Sequence, residues 1–166
     1  KSVLISSDLI PLGSHPANDL PWWDLFSGEF SQLAQKIKEA GIRISMHPGQ
    51  YTILNSPDEG VVARSMDDLR YHTKLLDCLG GGTENKIILH LGGVYGDREA
   101  SLNRLRSNFL RLPVELQNRI ALENDERCYN ISEVVQTAEH LGVPAVFDAL
   151  HHAVNPAPGS VGEWVT

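Results

Sequence analysis

The sequence predicts an α/β fold built around a parallel β-sheet, on the basis of three observations. Strand-like and helix-like segments alternate along the chain in the order β-α-β-α-β-α-β-α-β. The strand-like segments are short and apolar with little alternation, as expected when both faces of a sheet are covered. Their starts, near positions 42, 86, 119 and 144, lie about 25 to 45 residues apart, which is typical of repeated βα units.

The predicted strands are short, mostly aliphatic runs. They cover residues 3–7, 42–46, 86–91, 119–123 and 144–148. Helices with apolar residues at helical spacing connect them. These cover residues 28–41, 56–82, 97–112 and 130–142.

Local signals mark the ends of two of these helices. Ser56, Pro57 and Glu59 match an N-cap, a first-turn proline and a capping-box partner for the second helix, which closes on Gly80. In the fourth helix, Asn130 and Glu133 match a cap and its partner, and Gly142 matches the end of that helix.

Two architectures fit this order: an open doubly wound sheet and a TIM (β/α)₈ barrel. A complete barrel usually needs about 250 residues, so 166 residues would form an incomplete one. The absence of an initial methionine and the short segment after the fifth strand favour the barrel. We therefore expect a single domain over residues 1–166, a partial TIM barrel of about five βα units with flanking strands missing at both ends.

Composition is that of an ordinary soluble domain, with 42% hydrophobic and 21% charged residues. The formal net charge of −7 argues against broad nucleic-acid binding through a basic surface. Cys78 and Cys128 are too few for a disulfide framework, and no apolar run is long enough to span a membrane. These features favour a soluble, cytoplasmic protein.

Chemically active side chains stand at the carboxyl ends of four consecutive predicted strands, where parallel α/β folds bind ligands. These are His47, His90, Glu123 and Asp148, and His151 follows three residues after the last. Imidazole and carboxylate groups are ligands for zinc, manganese and iron. A carboxylate on a central strand, here Glu123, can bridge two cations, an arrangement that suits displacement at phosphorus. The sequence therefore predicts a metal site at this rim.

Other residues have plain structural explanations beside functional ones. His15 follows the first strand and is a candidate to line the same rim. Gly92 and Gly93 either cradle a phosphate or shape a turn. Trp22 and Trp23 either anchor a packed loop or stack on a base. The remaining histidines are assigned structural positions: His72 on a helix face, His140 near a helix C-terminus and His152 pointing away from the rim.

Five motifs together resemble the UV damage endonucleases, over about residues 8–156. They are DLIPLGSHP, SMHPGQY, LHLGG, ALENDER and FDALHHAVNP, of which SMHPGQY and ALENDER are the most specific. The resemblance implies a TIM barrel related to endonuclease IV. It also implies an enzyme that nicks damaged double-stranded DNA immediately 5′ to ultraviolet photoproducts and other lesions, acts as a monomer when intact and uses up to three divalent metal ions. Manganese is the expected metal, with zinc or magnesium as alternatives.

The resemblance also implies roles at individual positions. His47 and His90 resemble ligands of a first metal, and Glu123 resembles the carboxylate that bridges the first and second metals. On this reading all three are catalytic. Asp148 resembles a ligand of the second metal and His151 a ligand of the third.

The SMHPGQY motif carries a further implication. Gln50 and Tyr51 resemble a pair that enters the damaged duplex and occupies the space left by the displaced lesion. His15 matches a family histidine near the site.

Two alternative functions remain open at this stage. One is another metal-dependent barrel enzyme, such as an abasic-site endonuclease or a sugar isomerase. The other is an inactive truncated fragment whose fold survives while its metal cluster does not assemble. Tests with different substrates would distinguish another barrel enzyme from a UV damage endonuclease. Measuring metal content would distinguish an inactive fragment from an enzyme.

Overall fold

A computed structural model describes residues 1–165, in which five parallel strands form one sheet. The strands are β1 (Ser2–Ile5), β2 (Arg43–Met46), β3 (Ile87–His90), β4 (Ile120–Glu123) and β5 (Ala145–Val146). Their spatial order, β1-β2-β3-β4-β5, follows the chain without reversal. Crossovers between parallel strands are right-handed, so an unreversed order carries the sheet steadily in one direction, as in a barrel. A doubly wound sheet would reverse its order. The α/β prediction is confirmed, in its partial-barrel form.

Helices connect the strands, and a 3₁₀ turn (Ser7–Leu9) follows β1. The helices are α1 (Trp22–Leu25), α2 (Ser27–Glu39), α3 (Glu59–Cys78), α4 (Arg98–Phe109), α5 (Val114–Gln117), α6 (Ile131–Leu141), α7 (Ala149–Val154) and α8 (Val161–Trp164). The four predicted helices correspond to α2, α3, α4 and α6. The short helices were not predicted, because a single turn has too few residues to show helical periodicity.

The predicted start of α3 is wrong by two residues. Asp58 is the N-cap: its Oδ1 accepts hydrogen bonds from the N–H groups of Gly60 at 2.7 Å and Val61 at 3.3 Å. Ser56 instead accepts from the N–H of Asp58 and turns the chain just before the helix. A carboxylate satisfies two free N–H groups and also interacts favourably with the positive end of the helix dipole, which explains why Asp58 prevails.

The caps predicted for α6 are confirmed. The Asn130 side chain accepts from the N–H of Glu133, the Glu133 carboxylate accepts from the N–H of Asn130, and both bonds are present. Gly142 ends the helix at φ 69°, a left-handed conformation that glycine adopts without steric cost.

The core lies between the central strands and the helices that cover them. All four residues of β4 are buried, and Leu69, Leu75 and Leu76 of α3 are fully enclosed. Each fully buried leucine contributes about 1.5–3 kcal/mol. At the sheet edge, Val3 and Leu4 of β1 remain about half exposed. A rigid centre therefore supports the ends of β2, β3 and β4.

The fifth strand is shorter than the predicted 144–148. Only Ala145 and Val146 pair with β4, because Asp148 caps α7 by accepting a hydrogen bond from the N–H of His151 at 2.8 Å. Asp148 is thus a helix cap just beyond a strand, rather than the last strand residue. The backbone leaves the sheet to start the helix.

Several smaller expectations can be compared with the fold. Cys78 and Cys128 are both free thiols. Trp22 is buried and makes edge contacts with Phe30 and Tyr71, so it is a packed anchor. No helix among residues 1–165 is long and apolar enough to cross a membrane.

Candidate metal centre

Three of the predicted side chains meet at the carboxyl ends of the central strands. His90 and Glu123 are the last residues of β3 and β4 and pair with each other in register. His47 directly follows Met46, the last residue of β2. Residues paired across parallel strands face the same side of the sheet, so strand order places these side chains at one point.

The geometry of this triad is close. Nε2 of His47 lies 2.7 Å from Oε2 of Glu123, and Nε2 of His90 lies 3.5 Å from the same oxygen. One ligand atom from each residue can be chosen so that all three lie within 4.8 Å of one another. His90 and Glu123 are buried, whereas His47 is half-buried and open to one side.

The imidazole of His47 is held by its other nitrogen. Nδ1 lies 2.9 Å from the carbonyl oxygen of Pro48, which can only accept, so Nδ1 carries a proton and donates it. Nε2 therefore faces Glu123. This is how metal-binding histidines are usually oriented, with the second nitrogen fixed by a carbonyl or carboxylate. The hydrogen bond to Glu123 is the main reason the pKa of His47 is raised, against the opposing effect of burial.

His90 is a different case. Burial lowers its pKa, with the nearby Glu123 charge acting in the opposite direction. A neutral imidazole is the form that binds metal. Among residues 1–165, its buried Nδ1 has no hydrogen-bond partner.

The donor set fits a divalent cation. Among the described residues, the buried Glu123 carboxylate has hydrogen bonds or ion pairs only with the two imidazoles, and no Lys or Arg neutralises it. A buried carboxylate needs a compensating charge. Two imidazoles and one carboxylate suit zinc, manganese or iron equally well, so the residues indicate a metal without selecting one.

Asp148 and His151 lie beside the triad but outside it. The ring centre of His151 is 5.4 Å from that of His90, and its Nδ1 is 3.2 Å from Oε2 of Glu126. Asp148 stands on the neighbouring chain segment as the cap of α7. Their ligand roles stay predictions.

Two residues of the ALENDER motif support this region and were not predicted. Asn124 is fully buried, donates from Nδ2 to the Asp148 carbonyl at 3.0 Å and accepts the Asp148 N–H at 2.9 Å. It thereby continues the pairing between β4 and β5 with a side chain. Glu126 interacts with His151 as described above. Their place in the ALENDER motif, beside Glu123, is the sequence signal that could have found them.

Gln50 and Tyr51 project from the turn after His47. Tyr51 is 71% exposed, and Gln50 lines a cavity of about 230 Å³ together with His90, Tyr95 and Glu126. A Cβ atom at Gly49 would lie 2.4 Å from the Tyr51 ring, so a larger residue there would displace this exposed ring. The pair is exposed next to the triad, as its predicted role requires, and the role itself stays a prediction.

His15 lies near the site, whereas the Gly92–Gly93 pair forms a turn. His15 is exposed and lines a second cavity with Tyr51 and Thr52, beside the same turn. Gly92 has φ 96°, and a Cβ atom there would lie 2.2 Å from Asn55 Oδ1. Asn55 also donates to the Gly93 carbonyl at 2.7 Å. The turn explanation therefore accounts for the glycine pair.

These features define a barrel-type α/β protein with a candidate metal centre at its strand ends. The comparison with protein families is more specific. The model of the family described as UV-endonuclease UvdE matches residues 2–165, and the chain belongs to this family.

Individual relatives agree. The chain is 42% identical over 148 residues to a UV DNA damage endonuclease of Clostridium perfringens, covering 89% of this chain and 36% of the relative. It is 36% identical over 153 residues to a UV DNA damage endonuclease of Bacillus velezensis, covering 91% and 47% respectively. The chain thus spans less than half the length of these two curated relatives.

Solved structures give the same grouping. The crystal structure of SacUVDE superposes with a TM-score of 0.94 at 40% identity, over 99% of this chain and 56% of that one. An L-ribulose 3-epimerase superposes with a TM-score of 0.70 at 19% identity, covering 99% of this chain and 55% of that one. At that identity the second likeness shows a shared fold alone.

Proposed function

We propose that this chain contributes to a DNA repair endonuclease that hydrolyses the phosphodiester bond 5′ to ultraviolet photoproducts and other lesions. Membership of the UV-endonuclease family supports this, as do relatives described as UV DNA damage endonucleases. The observation that carries the proposal is the convergence of His47, His90 and Glu123 on one point at the strand ends.

The chemistry follows from the donor set. His47, His90 and Glu123 would hold a divalent cation, which lowers the pKa of a bound water and offsets charge at the phosphoryl group. Pro48 holds the His47 ring so that Nε2 faces the centre, and burial lowers the pKa of His90, which favours the neutral form that binds metal. Manganese is the proposed metal.

Further metals are part of the proposal. Glu123 and Asp148 would hold a second cation, and His151 would contribute to a third. Asn124 supports this arrangement by fixing the Asp148 backbone, and Glu126 by restraining the His151 ring. Several cations would also offset the −7 formal charge that otherwise repels a DNA substrate.

Recognition of damage is assigned to Gln50 and Tyr51. Both are exposed within a few residues of His47, so a duplex whose phosphate reaches the triad would also contact this turn. A displaced lesion leaves a gap in the base stack, and an aromatic ring can fill it with about 1–3 kcal/mol of stacking energy.

The test uses the intact protein and an end-labelled duplex carrying one photoproduct. Nicking at the bond 5′ to the lesion should stop with chelator and return with Mn²⁺. Full activity in excess chelator, with no metal retained by mass spectrometry, would contradict the metal proposal. Parallel incubations with an abasic duplex and with a ketose separate the two alternative barrel enzymes, because each would turn over its own substrate and leave the photoproduct duplex intact.

A further inference from the structure

Helix α3 carries a buried polar stripe on one face. Ser65, Asp68 and His72 are 3%, 7% and 0% exposed, and their i, i+3, i+7 spacing puts them on one side of the helix. Buried polar groups cost free energy unless they are hydrogen-bonded, so the hydrogen-bond partners of these side chains show what the stripe holds in place. We call these three residues the α3 polar stripe.

The first two members hold the segment after the Gln50–Tyr51 turn. Ser65 Oγ accepts from the N–H of Ile53 at 3.0 Å. Asp68 Oδ2 accepts from Thr52 Oγ1 at 2.7 Å. Thr52 follows Tyr51 directly and is itself buried, so these bonds fix where the exposed turn leaves the protein surface.

The third member reaches the metal centre through Ser7. Nδ1 of His72 donates to the carbonyl of Asp68 at 2.7 Å, and Nε2 lies 2.9 Å from Ser7 Oγ. The same Ser7 hydroxyl donates to the carbonyl of His47 at 3.0 Å. Burial lowers the pKa of His72. Ser7 Oγ lies within hydrogen-bond distance of both the His72 ring and the His47 carbonyl.

The position of Ser7 explains why the His47 carbonyl is bonded by a side chain and not by a backbone N–H group. The last paired residues of β1 and β2 are Ile5 and Met46, and the chain enters a 3₁₀ turn at Ser7. The His47 carbonyl lies one residue past this ladder. The Ser7 hydroxyl supplies a donor where the backbone has turned away, and Tyr71 of α3 secures Ser7 by donating to its carbonyl at 2.9 Å.

We propose that the α3 polar stripe is a positioning device for the endonuclease site, acting through Ser7 on the backbone of His47 and through Thr52 and Ile53 on the Gln50–Tyr51 turn. One helix face thereby keeps the metal ligand and the lesion-contacting side chains in fixed relation. The stripe residues touch neither metal nor DNA in this scheme. This role rests on the proposed function, because it concerns how the metal ligand and the lesion-contacting turn of that function are oriented.

The first experiment measures Mn²⁺ affinity of the intact protein by calorimetry, together with the melting temperature. Ser7→Ala removes the donor to His47 and should weaken Mn²⁺ binding about tenfold, as outer-shell changes do. Ser7→Thr keeps the hydroxyl and should restore it. The matched control is Thr73→Val on the same helix, because among residues 1–165 the Thr73 hydroxyl has no hydrogen-bond partner. Its affinity should equal that of the wild type.

The second experiment measures the ratio of binding to damaged and undamaged duplex. Thr52→Val frees the turn from Asp68 and should lower this ratio severalfold with Mn²⁺ affinity unchanged, whereas Thr52→Ser should preserve both. If the stripe had a purely structural role, the variants would lower only the melting temperature. Wild-type Mn²⁺ affinity in Ser7→Ala, or a wild-type binding ratio in Thr52→Val, would overturn the proposal. If Ser7→Ala does not fold, the comparison of Thr52→Val with Thr52→Ser decides. Failure of the wild type to bind Mn²⁺ or to nick would count instead against the proposed function.

Discussion

His90 and Glu123 pair in register at the ends of two adjacent strands, and Nε2 of the first lies 3.5 Å from Oε2 of the second. Backbone pairing alone brings a buried imidazole and a buried carboxylate together. The same oxygen is shared with His47, so Glu123 is the residue on which the candidate centre depends most directly.

Replacing Glu123 with glutamine should strongly weaken metal binding with little effect on folding. The side chains have nearly the same size, but the amide is neutral and offers one oxygen, so Mn²⁺ affinity and nicking should each fall more than about 100-fold, beyond the range of outer-shell changes. Calorimetry, circular dichroism and the nicking assay check this. Glu99→Gln, on the exposed first turn of α4, serves as the control and should behave as the wild type. A folded Glu123→Gln protein that nicks at the normal rate would show that Glu123 is not a ligand.

Replacing Gln50 and Tyr51 together with alanine should separate recognition from metal binding. Loss of one aromatic stacking contact, worth about 1–3 kcal/mol, should lower the preference for damaged duplex by roughly 5- to 150-fold. Metal stoichiometry should stay the same because the triad is intact. The control is Leu110→Ala, an equally exposed residue at the C-terminal end of α4. Metal loss in the double variant would mean that the turn is structural.

Replacing Asn124 with alanine should affect Asp148 specifically. The variant leaves the Asp148 N–H and carbonyl without their partner, which should lower the free energy of unfolding by roughly 1–3 kcal/mol. If Asp148 binds a second metal, metal content should fall while the first site keeps its affinity. Urea unfolding and mass spectrometry measure the two effects. Asn118→Ala removes an exposed amide and should change neither. Unaltered metal content in a destabilised Asn124→Ala protein would confine Asn124 to a structural role.

The neutral His72 ring should make stability depend on pH. Its pKa is lowered in the fold, so below about pH 6.5 the unfolded chain binds more protons than the folded one. The stability contributed is fully present above pH 6.5 and declines as pH falls toward the lowered value, by up to about 1.4 kcal/mol per pH unit. Asp68 and His47 are the charged groups that act on it.

The measurement is urea unfolding of the wild type and His72→Gln between pH 5 and 7.5, with chelator present. The wild type should lose more stability on acidification than the variant, since Gln does not titrate. His90, with a lowered pKa, and His47, with a raised one, also contribute, but both remain in each protein and cancel in the difference. Parallel curves would show that His72 does not titrate in this range.

The sequence by itself determined the sheet and the composition of the candidate centre. Aliphatic runs that end in His47, His90 and Glu123 predict parallel strands, and the carboxyl ends of such strands always meet at one rim. The capping of α6 by Asn130 and Glu133 could also be predicted from the sequence. Each of these features depends on residues within a few positions of one another, or on a rule that holds for every parallel sheet.

Only the tertiary structure decided how the centre is supported. Ser7 meets His47 across 40 positions and His72 across 65, and Asn124 meets Asp148 across 24. No local pattern distinguishes such residues from ordinary polar ones, because their partners are chosen by how α3 and the loops pack. The α3 cap at Asp58 and the end of β5 at Val146 have a local cause instead, because Asp58 and Asp148 each cap the helix that follows them. Local propensity sets which conformations a segment can adopt, and packing selects among them.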